Sequence, residues 1–410
     1  MDRSSILSLS HGFDRDLKLL LFSMSARRIT LGFLGVVRAI YFALLGFSPL
    51  TIGLLLSVST FVSALHHISF GVLSDKYGRK PFLLLGALFD ASRLVIFALT
   101  RDLWLIALGQ GLGAMGEGVG AGQPVVSGYI ADKVKVRKRV SVFRTLAVTN
   151  SVMASIGSVL AGSPQLFQSV FGMDLVSAHV PLYLIGIFLS ALSFALLLPI
   201  KDAKSKENED VEEKRVLEVK SWDTIMKYSL VRSTSGLGWG LIGSLLPLYF
   251  FIRFNVGSDV LGPVYASARL ISIITYMLIP LIVANLGEVW ILALSRIMSA
   301  AVTVAFAFTD SYPIAAVLLV SFNVSLMFTM PIRQSFATRI VDSDEAATAI
   351  GISNFARMGV RSVAPTLAGY MFEVVNLSMP FLLGSSLIFL NGVLYYACFR
   401  GEEETPKEAS

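Results

Sequence analysis

An apolar stretch of about 20 residues recurs along nearly all of this chain, and that recurrence leaves few folds open. Lipid cannot hydrogen-bond a bare peptide group. Each stretch must therefore satisfy its own backbone, which it does as a helix crossing about 30 Å of hydrocarbon. Read with that window, residues 18–46, 49–73, 81–100, 103–131, 140–163, 179–200, 224–252, 259–284, 288–309, 312–337, 346–372 and 378–399 are the expected spans, twelve in all. Composition points the same way. Of 410 residues 54% are apolar and 15% charged, with mean hydropathy +0.71, which excludes an ordinary water-soluble globule. The expected fold class is an all-α membrane protein.

The net charge of +6 does not suggest nucleic acid, because Lys and Arg sit in short runs between apolar stretches and form no continuous basic face. Those runs orient the chain instead. With the N-terminus inside, Lys76, Arg79 and Lys80, then Lys133 to Arg139, then the bases of 201–220 all face the cytoplasm, and only Arg101 and Arg253 face out. Both termini are expected to be cytoplasmic, in a cell inner membrane. Asp14, Arg15, Asp16 and Lys18 precede the first span and Arg27 and Arg28 interrupt it, which argues for a retained helix over a cleaved signal. Arg27 and Arg28 are expected near the inner interface.

The long polar stretch Lys201–Lys220 has no apolar period and reads as a solvated linker. It divides the chain into a six-helix bundle at 1–200, a linker at 201–222 and a second six-helix bundle at 223–410. The halves echo one another: residues 156–162 resemble 363–369, and 130–132 resemble 340–342. Parallel repeats of this kind suit a carrier of two pseudo-symmetric bundles.

The turn after the second span reads GVLSDKYGRK, residues 71–80. Here the chain resembles the major facilitator superfamily, whose hallmark in this turn is Gly-x-Leu-x-Asp-(Arg/Lys)-x-Gly-(Arg/Lys)-(Arg/Lys); Gly71, Leu73, Asp75, Lys76, Gly78, Arg79 and Lys80 match. Gly71 permits close helix contact, and Gly78 permits the positive φ of a tight reversal. The resemblance implies a cytoplasmic gate latch: Asp75 against the N-terminus of the eleventh helix, and Arg79 paired with Asp132. Asp344 and Glu345 at the start of that helix oppose the first contact. A simpler reading gives the basic residues only an orienting role. The matching turn of the second half, 283–290, keeps Gly287 and has no basic residue.

Two other family patterns are reduced. In the fourth span Gln110, Gly111, Gly113 and Ala114 match, but Ala107 stands where the family has Arg, so a proton-coupling role tied to that Arg does not carry over. In the fifth span the antiporter pattern is cut to Gly157, Ser158, Ala161 and Gly162, without its Pro. The glycine-rich run 109–122 is expected to serve close packing or bending, since each glycine costs about 1 kcal/mol against Ala in a helix.

Charges within the spans narrow the site, because a central Arg or Asp costs at least about 2.5 kcal/mol and faces a partner or a cavity. Arg38, Asp90, Arg93, Glu117 and Arg269 qualify. Arg38 is within reach of Glu117. The pair reads either as structural or as a coupling site in which Glu117 exchanges a proton or ligand while Arg38 stabilises its anion. The resemblance places both residues on cavity-lining helices. It puts Asp90 and Arg93 on a peripheral one, where a local pair is expected. Arg38 with Arg269 permits an anionic solute. Arg333, Gln334, Arg357 and Arg361 suit the interface or a gate. Tyr41, Trp239, Tyr265 and Tyr276 suit either the cavity or packing.

No cofactor and no metal is expected. The one cysteine, Cys398, forms no internal disulfide, and His66 and His67 lack further ligands at metal spacing. No Walker loop, His-Glu-x-x-His or nucleophile elbow supports an embedded enzyme or sensor. The expected function is secondary transport of a small solute by alternating access, driven by an ion gradient or exchange, with proton-coupled efflux of amphipathic compounds as the alternative. The expected partners are that solute, protons and the lipid bilayer, with no nucleic acid, and the chain is expected to be a monomer.

Overall fold

The computed structural model describes residues 14–117, 124–134, 136–202, 221–329, 332, 333, 336, 340 and 346–402. Among them every regular element is helical. The first half contributes α1 (Arg15–Leu44), α2 (Pro49–Tyr77), α3 (Arg79–Leu99), α4 (Leu103–Glu117), α5 (Pro124–Lys133), α6 (Val136–Leu160), α7 (Ser163–Phe171) and α8 (His179–Leu197). The second contributes α9 (Trp222–Gly243), α10 (Leu246–Phe254), α11 (Ser258–Leu286), α12 (Glu288–Phe308), α13 (Tyr312–Phe328), α14 (Ala346–Tyr370) and α15 (Met379–Phe399), with a π-helical turn at Met371–Val375.

Eight stretches among the described residues are long and apolar enough to cross a membrane, and Tyr312–Ser325 adds a shorter apolar helix. Their outward faces suit acyl chains: Leu99, Trp104 and Phe188 are 82%, 79% and 66% exposed. One span expected to be continuous is broken, and another is extended by a second helix. The seventh stops at Ser244 and Leu245 and resumes as α10, with Pro247 in its first turn; the fifth ends near its expected limit, at Leu160, and is followed after Ala161 and Gly162 by the short α7, with Pro164 in its first turn. Proline lacks an N–H and crowds the carbonyl four residues back, so it sits where a helix restarts. The expected fourth span holds α4 and α5, and the 118–123 stretch between them lies outside the described residues, as do 203–220 of the polar stretch.

By packing, the chain divides into two compact units, Met1–Tyr41 with Val62–Glu212, and Phe42–Phe61 with Glu213–Ser410. In the first unit Leu20, Met24, Leu83, Val126, Tyr129 and Leu146 join α1, α3, α5 and α6 in one apolar core. Helices α1 and α6 cross so closely that a Cβ on Gly32 would overlap the Ala154 carbonyl and one on Gly157 the Ile29 carbonyl. The core of the second unit holds Tyr228, Val231, Leu292, Phe336, Tyr395 and Phe399. There the first half of α2 meets α14: Gly53 faces the Pro365 carbonyl, Gly369 faces that of Pro49, and the Thr366 hydroxyl donates to Ser57 Oγ at 2.7 Å. The echoing segments 156–162 and 363–369 thus both make close crossings, one on α1 and the other on α2.

The turns before α3 and α12 share a backbone. Gly78 and Gly287 cap these helices at φ +93° and +75°, a region that L side chains rarely adopt.

Candidate functional site

Helix α3 carries Asp90 and Arg93 one turn apart into the interior of the first unit, where their side chains are 2% and 0% exposed. Arg27 reaches them from α1, with Nη2 2.8 Å from Asp90 Oδ2 and its own side chain 2% exposed. Arg93 Nη1 donates to Glu117 Oε1 at 2.6 Å, and Arg93 Nη2 to Asp90 Oδ1 at 3.4 Å. Arg38 closes the row, with Nη1 3.5 Å from Glu117 Oε1 and 3.4 Å from Gln110 Oε1. The result is one line of alternating sign, Arg27, Asp90, Arg93, Glu117, Arg38. A lone buried ion costs several kcal/mol, and the alternation offsets much of that.

The glycines of α4 make the line possible. A Cβ at Gly113 would overlap the Arg93 side chain, and one at Gly116 would overlap the Asp90 carboxylate. The low helix propensity of this stretch therefore has a local cause beyond helix packing: two charged side chains from α3 lie across it. Arg27 also donates to the Gly116 carbonyl at 2.5 Å.

Exposure divides the line into two parts. Arg27, Asp90 and Arg93 are sealed, whereas Glu117 and Arg38 are 30% and 22% exposed. The exposed contact is also the looser one, at 3.5 Å against 2.6 Å for Arg93 with Glu117. A proton or a solute cation arriving there competes for Glu117, and an anion competes for Arg38. The sealed members hold Glu117 from the buried side, through Arg93 at 2.6 Å.

The expected local pair of Asp90 and Arg93 is present, at 3.4 Å, and it does not stand alone: both side chains are buried and join Arg27 on one side and Glu117 on the other, with Arg93 the tighter partner of Glu117. Arg27, which the sequence placed by depth alone, is buried beside Asp90. One signal would have found it: it stands eleven residues before Arg38, which returns a helix to almost the same face. Arg269 belongs to the other unit, on α11 beside Tyr265.

In the turn 71–80, Arg79 Nε lies 3.3 Å from Asp132 Oδ2, and Arg79 Nη1 donates to Ser74 Oγ at 2.9 Å. A Cβ on Gly128 would overlap the Arg79 guanidinium, so α5 too is cut back for a charge. Asp202, which the sequence reading missed, accepts from the N–H groups of Arg79 and Lys80 at 3.0 and 3.2 Å, and so caps α3 where Gly78 has no side chain. Lys80 Nζ donates to the Leu198 carbonyl at 2.7 Å, and Lys76 is exposed over the Tyr77 ring. Gly71 lies within α2. The side chains of Asp75, His67 and Tyr276 lie outside the described ones, as do Gln334, Asp344 and Glu345. His66 meets the Phe70 ring edge-on at 4.5 Å, Trp239 stacks on Phe322 at 5.3 Å, and Tyr41 donates to the Phe97 carbonyl at 3.0 Å. Among the described residues no three His, Cys, Asp or Glu are grouped to hold a metal ion.

Residues 20–365 match the Major Facilitator Superfamily as a family. The chain is similar to the Inner membrane transport protein YajR of Escherichia coli (strain K12), with 32% identity over 118 residues, which is 29% of this chain and 25% of that protein. Over more of its length it is similar to the Quinolone resistance protein NorA of Staphylococcus aureus (strain MSSA476), with 22% identity over 357 residues, 84% of this chain and 88% of that one. Among solved structures, the nucleoside transporter NupG aligns with a TM-score of 0.73 at 14% identity, covering 95% of this chain and 100% of that one. That likeness is one of fold.

Proposed function

The chain belongs to the major facilitator superfamily, and from that premise we propose that it is a secondary transporter that moves a small solute by alternating access, with Glu117 and Arg38 as the exchangeable pair. The observation that carries the reading is the graded line of charge: three sealed members, then two partly exposed ones joined by its loosest contact. A purely structural ion pair gains nothing from an exposed, loosely held end.

In this reading the chain is a multi-pass membrane protein of twelve spans in two six-helix bundles, monomeric, in a cell inner membrane with both termini cytoplasmic. Gly71, Asp75, Lys76, Gly78, Arg79, Lys80 and Asp132 form its cytoplasmic gate motif. Arg269 is a further substrate candidate from the other unit. The gradient is one of protons or of the exchanged solute. The likeness to a protein named for quinolone resistance makes export of amphipathic compounds the first direction to test.

The test is counterflow in proteoliposomes over a solute panel that includes a fluoroquinolone, with wild type and Glu117→Gln. Wild type is expected to exchange labelled for unlabelled solute. The variant is expected to fold and to lose at least about tenfold in rate, the value of one charge-assisted contact. Wild-type exchange with an unaltered rate in the variant removes Glu117 from the mechanism.

A further inference from the structure

Where the first unit alternates the sign of its buried charges, the second gathers guanidinium groups. Arg296, on α12, is 1% exposed, and its Nε and Nη2 are buried with no hydrogen-bond partner. Its stem packs on α15, where a Cβ at Gly392 would stand 3.0 Å from Arg296 Cβ. One residue earlier, Asn391 Nδ2 donates to the Val231 carbonyl at 2.5 Å and ties α15 to α9 next to Arg232. Arg232 lies over the Tyr228 ring at 5.6 Å and donates to Asn354 Oδ1 of α14 at 2.8 Å. Arg357, one turn beyond Asn354, crosses α9 at Gly236, where a Cβ would stand 2.9 Å from Arg357 Cγ. Its Nε is also buried without a partner.

Three helices thus bring three arginines to one layer of the second unit. Counted from the first residue of each helix, all three lie roughly 12–17 Å along it. Arg296 has Arg333, Arg232 and Arg357 as positive neighbours, Arg357 has Arg232, Arg361 and Arg333, and none of Arg296, Arg232 and Arg357 forms an ion pair with a carboxylate among the described residues. Arginine does not shed its proton to relieve this, as a buried lysine would. A neutral amide and a ring face partner Arg232 and leave its charge uncompensated. Paired N–H donors on a planar fork match the oxygens of a phosphate group, and three forks suit a tetrahedral ion better than a flat monocarboxylate.

We propose that Arg296, Arg232 and Arg357 form an anion site in the second unit that takes a phosphate group, borne by a small solute or by a lipid headgroup. The site is separate from the Glu117 line in the first unit, so each stands or falls alone.

The protein is purified into nanodiscs of phosphatidylcholine, and its unfolding temperature is followed as inorganic phosphate replaces chloride at constant ionic strength. Phosphate is expected to raise the midpoint of wild type and of Glu117→Gln alike. In Arg296→Gln the apparent affinity is expected to fall at least about tenfold, the loss of one charge-assisted bond. Without phosphate that variant should be no less stable than wild type, since it loses a buried charge that has no partner. Arg357→Gln, which removes a less buried group, serves where Arg296→Gln does not fold. Nanodiscs containing phosphatidylglycerol separate the sources. A midpoint raised by that lipid alone, with no further response to phosphate, assigns the site to headgroups, and a retained response assigns it to a solute. A wild-type midpoint indifferent to both, or phosphate affinity unchanged in both arginine variants, overturns the proposal.

Discussion

Asp90 and Glu117 are both carboxylates held by Arg93, yet they should fail in different ways. Asp90 is sealed between Arg27 and Arg93. Asp90→Asn leaves those two guanidiniums facing each other in the interior, and breaking a buried pair of this kind costs about 3–5 kcal/mol. The expected outcome is a clear drop in the unfolding temperature of the purified protein. Glu117→Gln keeps the sealed pair, and its partly exposed carboxylate is solvated, so stability should change far less while transport is lost. A midpoint for Asp90→Asn equal to wild type would show that the line is not what holds α1 to α3. A second residue ties stability to pH. Glu373, in the π-helical turn beyond α14, sits at the start of α2, where its carboxylate accepts from the Ser48 hydroxyl and, at 3.0 Å, from the Leu50 N–H. Those two bonds hold its carboxyl below the usual value of 4.5. A depressed value means that the stabilisation is complete above about pH 4.5 and is lost as the pH falls through the lower, folded-state value. Thermal midpoints of wild type and Glu373→Gln should therefore differ by a constant amount from pH 7 to 5 and converge in stronger acid; convergence already at pH 6 would sink this assignment. Residue identity made Arg38 and Glu117 legible, because intramembrane charge is costly wherever it appears. The inward turn of Asp90 and Arg93 was not legible, because it depends on which faces of α3 and α4 meet.

At the scale of elements, the glycine turns offer a controlled comparison. Gly46 and Gly78 both take positive φ, +87° and +93°. Around Gly46 a Cβ meets nothing within 4 Å, whereas at Gly78 it would overlap the Asp202 carboxylate that caps α3. Gly46→Ala therefore adds backbone strain alone, about 1–2 kcal/mol, and Gly78→Ala adds the same strain together with loss of a cap, about another 1 kcal/mol. Equal thermal midpoints for the two variants would remove Asp202 from the account. Gly78 was readable in sequence because a reversal between two spans needs such a residue; Asp202 was not, since it comes 123 residues later, just beyond α8, and no local pattern points back to residue 79. The restarts at Pro164 and Pro247 were readable too. A hydropathy window averages over Pro247 and joins α9 and α10 into one span, and it stops at residue 163 without registering α7, although proline in a first turn is a start signal. The glycine density of α4 was seen, but its local cause appears only once α3 is packed against it.

Over the whole molecule, orientation rests on an asymmetry of charge that packing does not touch. Lys133 and Arg139 lie at one end of the first unit, and Lys133 is held there by Asp16 at 3.0 Å. Asp174, at the opposite end, follows α7 in an exposed turn and is bonded by the Ser177 hydroxyl and by the Ser177 and Val176 N–H groups, which hold its carboxyl below the ordinary range. Basic short loops stay on the cytoplasmic side, so the two ends should face different compartments. Replacing the exposed Cys398 with Ser gives a background in which Lys138→Cys and Leu175→Cys can be labelled singly. In intact cells a membrane-impermeant maleimide should reach residue 175 at once and residue 138 only after permeabilisation. The reverse pattern would turn the protein over and put the motif 71–80 outside, where no latch on the cytoplasmic side is possible. Sequence alone carried this prediction because charge bias and hydropathy are properties of segments, each read without its neighbours. It did not reveal that Phe42–Phe61 packs with the second unit. That grouping follows from glycine and carbonyl surfaces on α2 and α14 that meet only in three dimensions, and it gives α2 two ends held by different units, so a substitution such as Gly53→Ala should alter transport through packing far from any charge.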